Sequence, residues 1–331
     1  MSVMFNERIK EMKIEKVEDL GRLFELWREA HAVEVEEIKE IVNFEKEKNI
    51  SEGEIFEKRV YKNKLKHKEA KEKEYLNTIS SHFVQFFYKK RNSTRCEQCT
   101  QFDMLKLKQN QELWEYVLSN AFNMDGVVDT FDVKENGGYS FICLLKEAND
   151  SSKECPKDYE VNWQDKANVN RWLKDWKEKD GNYKMLNKLN NAFYKYRYGE
   201  ELKKSEDFYF TQEMAYMNVN KRGGTSTTAG VDQTAVINYA KQYKDFILKE
   251  IDILSKDKEE VTIFVGGKND YFTKLVKVLC EDAAKIQEGI YEYTYTFESK
   301  NKKFKFVNIT HPSGRISAIN LAEEMKQGGV N

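Results

Sequence analysis

The spacing of apolar positions changes near residue 125. Before it, Leu20, Leu23, Phe24, Trp27, Ala30, Ile38 and Ile41 mostly follow the i, i+3, i+4, i+7 stripe of amphipathic helices, with Glu and Lys filling the other faces. From about residue 126 onward, short apolar runs alternate with helical stripes. Four runs read as buried strands: Tyr139–Leu145, a stretch ending in Met214–Val219, Val261–Val265 and Phe304–Ile309. Between them, Val236, Tyr239, Ala240, Tyr243, Phe246 and Ile247 form one helical stripe. Phe272, Leu275, Val276, Leu279, Ala283 and Ile286 form another. Strands alternating with helices predict βαβ units around a parallel sheet covered on both faces. The expectation is therefore a three-layer α/β/α sandwich with a central four-stranded parallel sheet over residues 126–331, preceded by a helical, charged N-terminal region over 1–125.

Composition narrows the class. Apolar residues make up 40% and aromatics 13% of the 331 residues, enough for a real core and too much for a disordered chain. A net charge of −1 excludes a globally basic binder. A local basic groove stays open, because the distribution of charge also sets the field. Lysine-rich residues 61–73 and the cluster Lys89, Lys90, Arg91 and Arg95 read either as solvated helix faces or as phosphate contacts. No run of 18 apolar residues predicts a membrane span, and the charged N-terminus lacks the apolar core of a signal peptide. Five cysteines, an odd count, argue against a disulfide framework and for a reducing cytoplasm. Cys96 and Cys99 with His67 or His82 supply only two thiolates toward a zinc site, so no metal or cofactor is expected.

Parallel sheets bind ligands beyond the carboxyl ends of their strands, so the segments after each strand carry the candidate chemistry. Lys146-Glu147-Ala148-Asn149-Asp150 follows the first, bringing a carboxylate and an amide out of a buried strand. Asn218-Val219-Asn220-Lys221-Arg222-Gly223-Gly224 closes the second, with two amides and two cations suited to an anionic ligand with hydrogen-bonding edges. Gly266-Gly267-Lys268 follows the third and reads as turn chemistry. His311-Pro312-Ser313-Gly314-Arg315-Ile316-Ser317 follows the fourth, where a proline turn fixes a histidine beside small donors and one Arg. Glu147 also reads as a helix cap, Asn218 as a strand-end partner and His311 as a core histidine. The convergence of all four segments on one sheet edge favours function.

These segments resemble the uracil-DNA glycosylase superfamily over about residues 138–325. H-P-S-G-R-I-S looks like its motif II, H-P-S-P-L-S or N-P-S-G-L-S. Y-M-N-V-N-K-R-G-G is similar to T-N-V-V-K-C-R-P-P of the thermophile-type branch. L-L-K-E-A-N-D occupies the place of motif I, G-E-A-P-G or G-Q-D-P-Y. Lys146 replaces a Gly of that motif, Asn149 stands where Pro is usual, and Arg315 stands where another branch has a duplex-wedging Leu. No Cys follows in the Asn218 segment, so the iron–sulfur cluster of the thermophile branch is not expected.

The resemblance implies a DNA glycosylase acting on flipped-out uracil or a modified pyrimidine, with DNA as partner and no membrane. It implies that Glu147, with Asn149 or Asp150 sharing the role, orients water and stabilises the sugar, and that His311 stabilises the departing base. Asn218 would read the base edge, with Tyr159 or Trp163 stacking on it. Ser313, Ser317, Lys221 and Arg222 would contact DNA, and Arg315 would hold a phosphate or enter the stack. A non-catalytic DNA- or nucleotide-binding protein on the same fold is the alternative. A phosphate-loop hydrolase is disfavoured, since neither G-x-x-x-x-G-K-[ST] nor G-x-G-x-x-G occurs.

Overall fold

The computed structural model describes residues 2–12, 20–27, 29–30, 138–149, 180–200, 214–224, 233–267, 269–297 and 300–328. Its strands are β1 (Phe141–Asn149), β2 (Met214–Gly224), β3 (Glu260–Gly266), β4 (Ala284–Gln287), β5 (Ile290–Phe297) and β6 (Lys300–Ile309). Its helices are α1 (Ser2–Glu11), α2 (Asp180–Tyr198), α3 (Gln233–Gln242), α4 (Lys244–Ser255), α5 (Asn269–Leu279) and α6 (Ala318–Gln327). Residues 20–27 are also helical.

The strands form one sheet in the order β2-β1-β3-β6-β5-β4. The first four run parallel, each in a segment expected from the sequence. The sheet is nevertheless mixed and six-stranded rather than four-stranded and parallel, because β5 and β4 extend it antiparallel from β6. β5 reads Ile-Tyr-Glu-Tyr-Thr-Tyr-Thr-Phe, a period of two. Tyr291, Tyr293 and Tyr295 join one core while Glu292, Thr294 and Thr296 take the other face, the half-solvated pattern that antiparallel strands tolerate. Helix α5 stops at Leu279, so Ala283 and Ile286 do not continue its stripe, and Ile286 lies exposed in β4.

Strand alternation separates two cores. Ile142, Leu144, Ala215, Met217, Ile263, Val265, Phe304 and Phe306 face α3, α4 and α5. Phe141, Cys143, Leu145, Met214, Tyr216, Phe264, Val307 and Ile309 face α2 and α6. The stripe from Val236 to Ile247 spans α3 and α4, with Tyr243 at the bend between them.

The described N-terminal residues are part of this body. Phe5, Ile9, Leu23, Phe24 and Trp27 are buried in the first core. Trp27 packs against Tyr239, Tyr243 and Phe246 at ring distances of 6.3, 6.0 and 5.1 Å. The buried Lys249 of α4 donates to the carbonyl of Met12 at 2.8 Å, at the end of α1. These described N-terminal residues therefore share the core on one face of the sheet. The basic residues 61–73 and 89–95, with Cys96 and Cys99, lie outside the described residues.

Candidate active site

Register places the four strand ends on one line. Leu145 pairs with Asn218, Gly266 pairs with Ile309, and Leu144 pairs with Val265, which sets Leu145 level with Gly266. Glu147, Asn220 and His311 each follow that line by two residues, and Glu147 pairs with Asn220 across β1 and β2. The chain moves from β1 to β2 on one side and later to β3 on the other, so β1 and β3 flank the topological switch point where open α/β sheets bind ligands. The backbones of Glu147 and Asn149 end β1 at this place.

The segment after β6 is built to hold His311. The backbone N–H and hydroxyl of Thr310 both donate to the Glu324 carboxylate of α6, at 2.6 and 2.9 Å. His311-Pro312-Ser313-Gly314 closes a turn in which the Gly314 N–H donates to the His311 carbonyl at 2.8 Å. Proline suits the second position of such a turn because its φ is already set. Lys188 of α2 donates to the Gly314 carbonyl at 2.9 Å, fixing the turn from the helix layer. Ser317 then caps α6, accepting from the Asn320 N–H at 3.1 Å. Ser313, Arg315 and Ser317 are exposed.

The imidazole has a defined protonation state. The Ser313 N–H donates to Nδ1 at 3.3 Å, and the Ser313 hydroxyl lies 2.8 Å from the same nitrogen. A backbone N–H can only donate, so Nδ1 accepts and the neutral ring carries its proton on Nε2. Burial, followed by the charges of Lys146 and Lys188, lowers the His311 pKa from 6.5 to about 4. At neutral pH the group is an uncharged Nε2–H donor.

Gly266 lets this ring approach the switch point. A Cβ on Gly266 would lie 3.2 Å from Cδ2 of His311 and 3.3 Å from a methyl of Leu145. The ring therefore reaches from β6 over the end of β3 toward β1. A Cβ on Gly267 would lie only 2.5 Å from the ring of Tyr271, over which the Lys146 ammonium rests at 5.1 Å. Turn chemistry alone does not account for this Gly pair. Close packing on both sides requires it, and the sequence signal was the pair directly after a buried strand.

The expected base-reading amide, Asn218, is buried on the α2 face with Asn220, at 3% and 1% exposure. Lys221 corrects the expectation of a DNA contact. It shares the parity of Met217 and Val219, so it enters the opposite core, where its ammonium pairs with Glu250 of α4 at 2.7 Å. Phe24 and Trp27 cover it with ring centroids at 5.5 and 5.3 Å. Arg222 is placed as backbone near the end of β2. Asp150, Tyr159 and Trp163 lie outside the described residues.

Among the described residues no helix is long and apolar enough to cross a membrane, and no group of three or more His, Cys, Asp and Glu is placed to hold a metal ion. Comparison with protein-family models, curated proteins and solved structures gives no match.

Proposed function

We propose that the protein is a DNA glycosylase that hydrolyses the N-glycosidic bond of a flipped-out uracil or modified pyrimidine, in repair or in defence against phage DNA. The observation that carries this reading is His311, held as a neutral Nε2–H donor at the switch point, level with the end of β1 that bears Glu147. Cleavage leaves positive charge on the sugar and negative charge on the base. A neutral donor aimed at the developing oxyanion strengthens as that charge grows, and loss of such a donor elsewhere costs about 2.7–4 kcal/mol. In this reading Glu147 orients the water and stabilises the sugar from the other side. Asn218 offers a donor and an acceptor to the base edge. The exposed Ser313, Arg315 and Ser317 hold phosphates around the extruded nucleotide, which fixes position without reading sequence. Flipping costs a few kcal/mol, least at mismatched or single-stranded positions.

A non-catalytic DNA- or nucleotide-binding protein is favoured by one feature, the presence of Lys146 and Asn149 where the resembled motif has Gly and Pro. Oligonucleotides carrying uracil and a panel of modified pyrimidines, treated to cut abasic sites, separate the two. The glycosylase reading expects abasic product from wild type and none from Glu147→Gln. Tight binding with no product across the panel would establish the binding protein instead.

A further inference from the structure

The geometry points to Lys146 as a positive group for the departing base beside the uncharged His311 donor, placed across the bare glycine end of β3 from it. The inference rests on the glycosylase reading and names a residue that reading does not use. Lys146 directly precedes Glu147 at the end of β1. Its ammonium rests over the Tyr271 ring at 5.1 Å, which holds it on one side of the β3 end. His311 packs on the other side, against Gly266. Between them Gly266 and Gly267 carry no side chains, and each is closely approached by one of the two flanking rings.

Among the described residues, charged groups near the imidazole come from three packed elements. Lys146 belongs to β1, Lys188 to α2 and Glu324 to α6. The Glu324 carboxylate is occupied by Thr310, and Lys188 is tied to the Gly314 carbonyl. Both lysines raise the potential felt at His311. A site that sets ammonium charge beside an uncharged N–H donor favours a planar anion over a neutral ligand. The base anion has that chemistry. As the C1′–N1 bond breaks, its electron pair goes to N1 of the base and spreads onto the exocyclic carbonyl oxygens. Water oxygen bonds to C1′, and its proton passes to Glu147, from which solvent returns a proton to the base.

The test compares wild type, Lys146→Met and Lys146→Arg in single-turnover excision of uracil and of 5-fluorouracil, whose anion is intrinsically more stable. DNA Kd and the His311 titration by NMR are measured in parallel. The expected result is a fall of about 10-fold in the excision rate of Lys146→Met, less than for removal of a direct donor because the charge acts from farther away. The loss should be larger for uracil than for 5-fluorouracil, Kd should change little, and Lys146→Arg should recover most of the rate. A merely structural lysine would slow both bases equally, and a phosphate contact would change only Kd; either result overturns the inference. An imidazole pKa unmoved by Lys146→Met overturns it whether or not any base is excised. A wild type that excises nothing while its imidazole responds to Lys146→Met overturns the glycosylase reading and leaves the electrostatic pairing of Lys146 with His311 standing.

Discussion

The ion pair beneath the N-terminal helices sets a sharp stability prediction. Lys221 and Glu250 side chains are both 0% exposed, with Nζ 2.7 Å from one carboxylate oxygen and 2.9 Å from the other. Lys221→Met keeps the length of the stem but leaves Glu250 charged, buried and without its ammonium. Removing one partner of such a pair costs about 3–5 kcal/mol, because the remaining charge loses its compensation. Glu250→Leu strands the ammonium in the same way, although Phe24 and Trp27 retain some attraction for it through their ring faces. The double variant Lys221→Met/Glu250→Leu removes both charges from a site covered by the rings of Phe24 and Trp27. Its cost should lie within about 2 kcal/mol of wild type, or be a gain, since apolar replacement of a whole buried pair is often neutral or stabilising. Urea unfolding of the four proteins gives the cycle, with a coupling energy of several kcal/mol expected. Single variants that each cost less than about 1 kcal/mol, or costs that simply add, would refute the reasoning, because they would mean that water reaches the pair.

Trp27→Ala should cost about 3–5 kcal/mol in chemical unfolding, the usual range for an aromatic removed from a core, and truncation of residues 1–30 should prevent folding rather than only weaken DNA binding; a truncated protein with an unchanged midpoint would contradict this. Gly266→Ala should push His311 by a few tenths of an ångström, lowering excision while costing about 1–3 kcal/mol as an overpacked site; an unaltered His311 resonance would show that the ring does not pack there. NMR titration should find the His311 imidazole neutral and protonated on Nε2 down to a pKa of about 4, below the ordinary 6.5. Because the folded-state value is depressed and the neutral form is favoured, the site contributes stability above pH 6.5 that is lost as pH falls toward 4. A measured pKa near 6.5 would remove the neutral-donor argument.

The parallel half of the sheet was legible because continuous apolar runs such as Val261–Val265 leave few alternatives once bounded by polar residues. The antiparallel half was missed although its signal was present. Ile290–Phe297 alternates strictly, but the stripe read through α5 to Ile286 absorbed the preceding residues into a helix. The helix ends instead at Leu279, and Cys280 is buried beside it. Lys221 shows a limit of another kind. Its position after an exposed-looking polar cluster suggested a phosphate contact, and only the parity of β2 together with Glu250, far along the chain, makes it a core residue. His311 was legible from its turn. Its tautomer was not, since that depends on which donors reach Nδ1. Gly266 and Gly267, at the end of β3 and just after it, look like a turn in the sequence because the groups that press on them, His311 and Tyr271, come from other elements.

If His311 acts as a neutral donor to a departing base, single-turnover release of free base from a modified-pyrimidine oligonucleotide depends on it. Wild type should release one base per site. His311→Ala, with an unchanged unfolding midpoint and unchanged DNA affinity, should release it at least about 100-fold more slowly, the low end for loss of an oxyanion donor. Equal rates for the two proteins, or no base released by wild type from any oligonucleotide, would rule out His311 as that donor.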